Sequence, residues 1–258
     1  MNSIKEKTEN ILNFFSNYSR VAVALSGGVD SAVLLSLAKS SKADIKAYFV
    51  KSAFQPDFEL DDALKICDDI IPLTVIEIDI LSDNVIVSNP ENRCYFCKKK
   101  IFGEIKKKAE IDGCDIIVDG TNSSDDICER PGYKALQELE IISPLKAFGF
   151  TKQDIRQIAF ERKIPVFDKP SYACLATRIS YGTKITMEIL NKTENAEKEF
   201  FALGFKDFRI RYQNGDGKLQ ISEKDMPSVI NNRDDILKIL KKYYNNVLLD
   251  LKARNSDG

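Results

Sequence analysis

The chain has 258 residues, 38 Lys and Arg against 39 Asp and Glu for a formal net charge of -1, six cysteines and no histidine. The missing histidine excludes a Ser-His-Asp or Cys-His nucleophile pair, a His-ligated zinc and a histidine proton shuttle, which leaves acid–base work to carboxylates, lysine, tyrosine or cysteine. The balanced charge offers no bulk electrostatic grip on nucleic acid, and no apolar stretch nears the roughly 20 residues of a membrane span.

Residues 1–16 are polar, with two lysines and two glutamates, unlike a signal peptide. A cytoplasmic protein with reduced thiols is expected, its cysteines serving as metal ligands, nucleophiles or core. Residues 21–25 form a short apolar run readable as a buried parallel strand. Helical spacing follows over 31–40, a second strand over 45–50, an acidic helix over 58–70 and a third strand over 73–80. A basic helix over 94–111 carries six lysines between Lys98 and Lys108. A fourth strand over 116–118 ends in Asp119-Gly120-Thr121-Asn122, and helices are expected over 133–139 and 152–162. This alternation predicts an α/β fold, a doubly wound, mostly parallel sheet that binds ligands at the carboxyl ends of its strands. The breaker cluster Asp168-Lys169-Pro170-Ser171 marks a boundary. Beyond it the pattern predicts a small α+β domain. It comprises a helix over 187–203, a hairpin of 208–212 and 218–221 joined by 213–217, a helix near 236–243, a strand over 247–251 and a frayed tail over 255–258.

Ser26-Gly27-Gly28-Val29-Asp30-Ser31 lies between the first strand and the first helix. The glycines let the backbone approach a ligand, the helix start offers unpaired N–H groups to phosphate, and Asp30 can cap the helix or orient Mg²⁺. The loop lacks the lysine of the Gly-x4-Gly-Lys-Ser/Thr motif. The plain alternative is a strand–helix turn that needed glycine.

Cys94-Tyr95-Phe96-Cys97 opens the basic helix, so its two thiols point the same way in a setting that favours thiolates. Such a pair suits half a zinc site, a redox pair or iron–sulfur ligation. Cys174 stands in a loop near Arg178, which would stabilise a thiolate. Cys67 reads as core, Cys114 as structural, and Cys128 is open. Three thiolates leave one coordination position unfilled, which favours a [4Fe-4S] cluster with one open iron over a structural zinc, provided that Cys128 is not a fourth ligand.

SGGVDS resembles the PP-loop of the ATP pyrophosphatase superfamily. From Ser26 to Arg211, the segments SGGVDS, NRCYFC, DGTN, ERPGYKAL, SPL, KPSYACLATRI, YGTKIT, NAEKEF and FRIR together resemble the LarE family of ATP-dependent sulfur transferases. The resemblance implies a PP-loop domain over 1–168, of the adenine nucleotide alpha hydrolase-like type. It implies a sulfur-transfer, substrate and oligomerisation domain over 169–258. It further implies that the protein adenylates a carboxylate of pyridinium-3,5-biscarboxylic acid mononucleotide with ATP and Mg²⁺ and then inserts sulfur. In that reading Ser26, Gly27, Gly28, Asp30 and Ser31 hold pyrophosphate. Gly120, Thr121 and Asn122 close over the nucleotide, and Lys51 or Ser52 borders adenine. Cys94, Cys97 and Cys174 hold a [4Fe-4S] cluster that relays sulfide from a donor. Glu197, Arg209 and Arg211 face the nucleotide substrate, and Arg130 and Arg178 are weaker candidates for the nucleotide or the acyl-adenylate. A sibling branch sacrifices the sulfur of the cysteine matching Cys174. The family also implies a homo-oligomer, a hexamer of face-to-face trimers.

The first rival is a cluster-dependent tRNA thiolase, favoured by the lysine-rich helix but lacking an RNA-binding domain or net basic charge. An ammonia-using synthetase would need no clustered cysteines. A non-catalytic zinc or nucleotide-binding module would release no pyrophosphate.

Overall fold

The computed structural model describes residues 3–67, 71–126 and 131–254. Its elements run α1 (Ile4–Phe15), β1 (Arg20–Leu25), α2 (Val29–Lys39), β2 (Asp44–Lys51), α3 (Asp57–Cys67), β3 (Leu73–Glu77), α4 (Asn84–Val87), α5 (Arg93–Ile111), β4 (Ile116–Val118), α6 (Pro131–Glu138), α7 (Pro144–Ala147), α8 (Lys152–Glu161), α9 (Met187–Ala202), β5 (Phe208–Gln213), β6 (Asp216–Ile221), α10 (Met226–Asn231), α11 (Arg233–Leu240) and β7 (Val247–Leu249). Two compact units result. The first comprises Met1–Ser52, Asp57–Ile78 and Asn92–Lys169. The second comprises Ala53–Pro56, Asp79–Glu91 and Pro170–Gly258.

The first unit is built on a parallel sheet of order β3-β2-β1-β4. Val23 of β1 stands opposite Ala47 on one side and Val118 on the other. Because side chains alternate across a strand, β1 buries Val21, Val23 and Leu25 on one face and Ala22 and Ala24 on the other. The first set joins a core with residues of α1, α2 and α8. The second joins Tyr48, Phe102, Ile105 and Leu136 from β2, α5 and α6. Two cores on one sheet make the doubly wound α/β arrangement that the sequence predicts. Because β1 is central and buried, its carboxyl end carries the chain into α2 at the ligand-binding edge of the sheet.

The N-terminal segment, read from sequence only as polar, is a helix. Ser3 caps it by accepting the Glu6 amide at 3.2 Å, and Ile11 and Phe15, one turn apart, are fully buried. Lys7 ties it to α8 through Asp154 at 2.7 Å. The acidic helix expected over 58–70 runs from Asp57 to Cys67, with 68–70 outside the described residues.

The second unit has a three-stranded sheet of order β5-β6-β7, with β5 and β6 antiparallel and β7 parallel to β6. The hairpin is tighter than the five-residue connection expected. Asn214 and Gly215 alone turn the chain, with φ of 50° and 93°, and Asp216 and Gly217 already pair within β6. Positive φ at both central residues is what a two-residue primed turn demands. Ala196 and Phe200 of α9 cover the sheet, Phe200 lying 4.6 Å from the rings of both Phe205 and Phe208. The helix expected near 236–243 begins earlier, at Arg233, and ends at Leu240, and the short α10 precedes it. The tail over 255–258 lies outside the described residues. Among the described residues no helix is long and apolar enough to cross a membrane.

Candidate functional site

β1 ends at Leu25 and α2 begins at Val29, so residues 26–28 make the whole connection. Gly27 has φ of +71°, a left-handed conformation that glycine adopts without strain. A Cβ there would lie 2.5 Å from the Glu59 carbonyl oxygen of α3, so the loop is seated directly on that helix. Gly28 is the N-cap of α2 and supplies no side-chain cap. The amides of the first turn therefore keep their donors for a ligand, at the positive end of the helix dipole. The Ser26 and Ser31 hydroxyls lie 3.2 Å apart, and Ser31 Oγ also accepts the Ser26 amide at 3.2 Å. This uncapped, hydroxyl-lined helix start fits the terminal phosphates of a nucleotide.

The loop after β4 closes on the same helix start. A Cβ on Gly120 would sit 2.8 Å from the Ser31 amide nitrogen, so only glycine permits this approach. Asp119 is buried and accepts from Ser143 Oγ at 2.6 Å and Thr121 Oγ1 at 2.5 Å. Asn122 is buried, and its side-chain oxygen accepts the Ser124 amide at 2.8 Å. Lys152, at the start of α8, holds the Asp30 carboxylate through both oxygens at 2.6 and 2.8 Å. Burial pushes the Asp30 carboxyl above its ordinary range, against the lowering pull of Lys152. Paired with Lys152, Asp30 offers carboxylate oxygens of the kind Mg²⁺ takes. Ser52, just past β2, is buried, and Lys51 donates to Asp57 at 2.8 Å.

Cys94 and Cys97 lie in the first turn of α5, both half-buried, and neither is in a disulfide. Gly132 of α6 faces the start of α5, where a Cβ would lie 3.1 Å from Lys98 Cγ and 3.4 Å from the Cys94 carbonyl oxygen. Two soft thiol donors one turn apart fit half of an iron–sulfur or zinc site. Among the described residues no group of three or more Cys, Asp or Glu forms a metal site. Cys67 is buried in the core, as its sequence neighbours suggest. Cys114 lies 3.6 Å from the Tyr48 hydroxyl. Cys128 and Arg130 lie outside the described residues.

In the second unit Cys174 precedes a 3-10 turn, Leu175–Arg178, and its carbonyl accepts Thr177 Oγ1 at 2.7 Å. Three arginines hold the carbonyls around it. Arg209 donates to Ser171 at 2.7 Å, Arg178 to Ala173 at 3.0 Å and Arg211 to Thr177 at 2.7 Å. Glu197 of α9 is the partner of Arg178. It accepts from Arg178 at 2.8 and 3.2 Å, from the Ile210 amide at 3.2 Å and from the Tyr172 hydroxyl. Tyr172 also lies under two guanidinium groups, with Arg178 4.4 Å and Arg209 5.3 Å from its ring centroid.

The charges follow from this packing. Burial works to discharge Arg178, but the Glu197 carboxylate more than offsets it and holds the guanidinium above its usual range, with a further contribution from Cys174. Burial, together with the charges of Arg178 and Arg254, pulls Arg209 down to about 10. Burial also lowers Arg211 and raises the Tyr172 phenol.

The structure therefore brings Ser26, Gly27, Gly28, Asp30, Ser31 and Gly120 together in the first unit. It brings Arg178, Glu197, Arg209 and Arg211 together around the Cys174 segment in the second. Lys152, Lys169, Ser143 and Tyr172 are the participants that sequence reading did not assign. A lysine that opens a helix or closes a domain carries no local mark of the carboxylate it will meet.

A family model described as the tRNA methyl transferase HUP domain matches residues 19–72. An uncharacterised protein of Methanocaldococcus jannaschii is 34% identical over 258 residues, covering 99% of this chain and 95% of the relative. An uncharacterised protein of Synechocystis sp. is 30% identical over 230 residues, covering 88% and 85%. The pyridinium-3,5-bisthiocarboxylic acid mononucleotide synthase of Lactiplantibacillus plantarum is 28% identical over 226 residues, covering 86% and 82%.

Proposed function

Because the chain belongs to the LarE family of PP-loop, ATP-using sulfur transferases, we propose that it adenylates a carboxylate of pyridinium-3,5-biscarboxylic acid mononucleotide and replaces AMP with sulfur. The observation that carries this reading is the uncapped start of α2, with Asp30 beside it and Gly120 packed against it. The first-turn amides and the Ser26 and Ser31 hydroxyls bind the β and γ phosphates. Asp30 would hold Mg²⁺, and Lys152, released from Asp30, is then placed to meet phosphate charge. The substrate carboxylate attacks the α-phosphorus, and pyrophosphate leaves from donors already in position. Fixed donors of this kind stabilise developing charge with little reorganisation. The resulting acyl-adenylate is attacked by sulfur, and AMP departs.

The family resemblance, rather than the arrangement of the described residues, carries the assignment of Cys94, Cys97 and Cys174 to a [4Fe-4S] cluster, which when bound would supply one iron able to carry the sulfur that is transferred. The arginines around Cys174 keep its segment in one conformation and supply positive charge for the substrate's carboxylate and phosphate. A second reading, thiolation of tRNA, shares only the word tRNA with the description of the matched HUP model, which names a methyl transferase and spans residues 19–72. Release of AMP and pyrophosphate on addition of the pyridinium mononucleotide, with iron and acid-labile sulfide measured on anaerobic protein, tests the proposal. Pyrophosphate release driven by unmodified tRNA and not by the mononucleotide would favour the second reading. A colourless, active protein that loses the Cys174 sulfur on turnover would favour sacrifice of the cysteine.

A further inference from the structure

The Gly27–Gly28 peptide is gripped from outside the loop by one side chain. Lys169 Nζ donates to the Gly27 carbonyl oxygen at 3.0 Å and to Asp62 of α3 at 2.7 Å, and it lies 4.8 Å from the centre of the Phe58 ring. Lys169 and Asp62 are both mostly buried, so the charge is held in place rather than solvated. Gly27 itself rests on the Glu59 backbone of the same helix. The loop is therefore pinned by α3 beneath it and by a lysine 142 residues further along the chain.

We propose that Lys169 is a positioning residue that sets the orientation of the Gly27–Gly28 peptide, so that the Gly28 amide points at the pyrophosphate end of the nucleotide. In a planar trans peptide the carbonyl of one residue and the amide of the next point in opposite directions. Fixing the Gly27 oxygen toward Lys169 thus turns the Gly28 N–H to the other side. Among the described residues no backbone carbonyl accepts from that amide. Two adjacent glycines make the peptide easy to flip, because neither has a Cβ to oppose rotation. A flipped peptide would present an oxygen to the phosphates in place of a donor. Lys169 and Asp62 remove that alternative. The β and γ phosphates depend on this amide, whereas AMP lacks them.

The inference rests on the nucleotide-binding reading above, and calorimetric titration of the full-length protein with Mg-pyrophosphate, Mg-ATP and AMP separates the two. Lys169→Met is expected to weaken pyrophosphate and ATP binding about tenfold to a hundredfold, the worth of one hydrogen bond to an anion. AMP affinity should stay within about twofold, and Lys169→Arg, which can still donate to both acceptors, should largely restore the wild-type values. Should Lys169→Met fail to fold, Asp62→Asn, which loosens the lysine without removing it, is read in the same way. Unchanged pyrophosphate affinity in Lys169→Met, or equal losses for pyrophosphate and AMP, would overturn the proposal. Wild-type protein that binds neither ATP nor pyrophosphate would overturn the nucleotide-binding reading instead.

Discussion

Glu197 of α9 is an acidic side chain buried against Arg178. It is 1% exposed, and so is its partner Arg178. Its two oxygens take four hydrogen bonds, two from Arg178, one from the Ile210 amide and one from Tyr172. Glu197→Ala would strand a guanidinium in a buried site and leave a strand amide without its acceptor. Breaking a buried ion pair by removing one partner costs about 3–5 kcal/mol. An orphaned buried donor costs about 1–3 kcal/mol, but the two penalties overlap in space. We therefore expect a loss of about 4 kcal/mol, a large share of the roughly 5–15 kcal/mol that holds a domain folded. Glu197→Gln keeps the acceptor oxygen and loses the charge, so it should cost less. Urea unfolding followed by circular dichroism measures both. The double variant Glu197→Ala/Arg178→Met should be less destabilised than the sum of its single variants, because the stranded charge is gone. A Glu197→Ala loss under about 1 kcal/mol, or strict additivity in the double variant, would refute the reasoning.

Gly27→Ala and Gly28→Ala should separate sharply. The first forces a left-handed alanine, costing about 1–2 kcal/mol, and overlaps the Glu59 carbonyl, adding about 1–3 kcal/mol. The second has an ordinary φ of −96° and meets only Ser26 Oγ, at 3.4 Å, so denaturant midpoints should show a loss under about 1 kcal/mol. Asp250 is held down to about 2, first by the Gln220 hydrogen bond and then by Lys218. Its stabilising contribution is complete above the unfolded carboxyl pKa of about 3.9 and fades as pH falls through about 2. Asp250→Asn should therefore lower the melting temperature at pH 6, and the gap should close near pH 2; a gap independent of pH would exclude this origin. Burial pushes the Cys67 thiol up to about 11. On cluster-free protein, iodoacetamide at pH 8 should alkylate half-buried Cys94 well before Cys67, as mass spectrometry of peptides can follow. Equal rates at the two sites would contradict the packing described.

Much of the fold was legible because it depends on local patterns. Runs such as residues 21–25 and 45–50 are apolar because a strand covered on both faces has no polar side, and such strands pair in parallel when helices connect them. SGGVDS was legible for the same reason, since a strand end, two glycines and a helix start are neighbours in the chain. The hairpin turn shrank from five residues to two because turn dipeptides overlap in sequence, and only strand pairing chooses between them. Ile4, Ile11 and Phe15 share one face of α1 at helical spacing, a stripe that the polar composition of residues 1–16 masks.

Local patterns alone mark the strands, the helices between them and the place of the phosphate loop, whereas the order β3-β2-β1-β4 is set only in the folded molecule. Tertiary structure alone decided that Lys152 holds Asp30 across 122 residues and Lys169 holds Gly27 across 142. It also decided that Glu197, which the family resemblance places facing the substrate, is buried against Arg178. The physical reason is that periodicity reports which face of an element is apolar, while the partner of a buried charge is set by packing between elements distant in the chain.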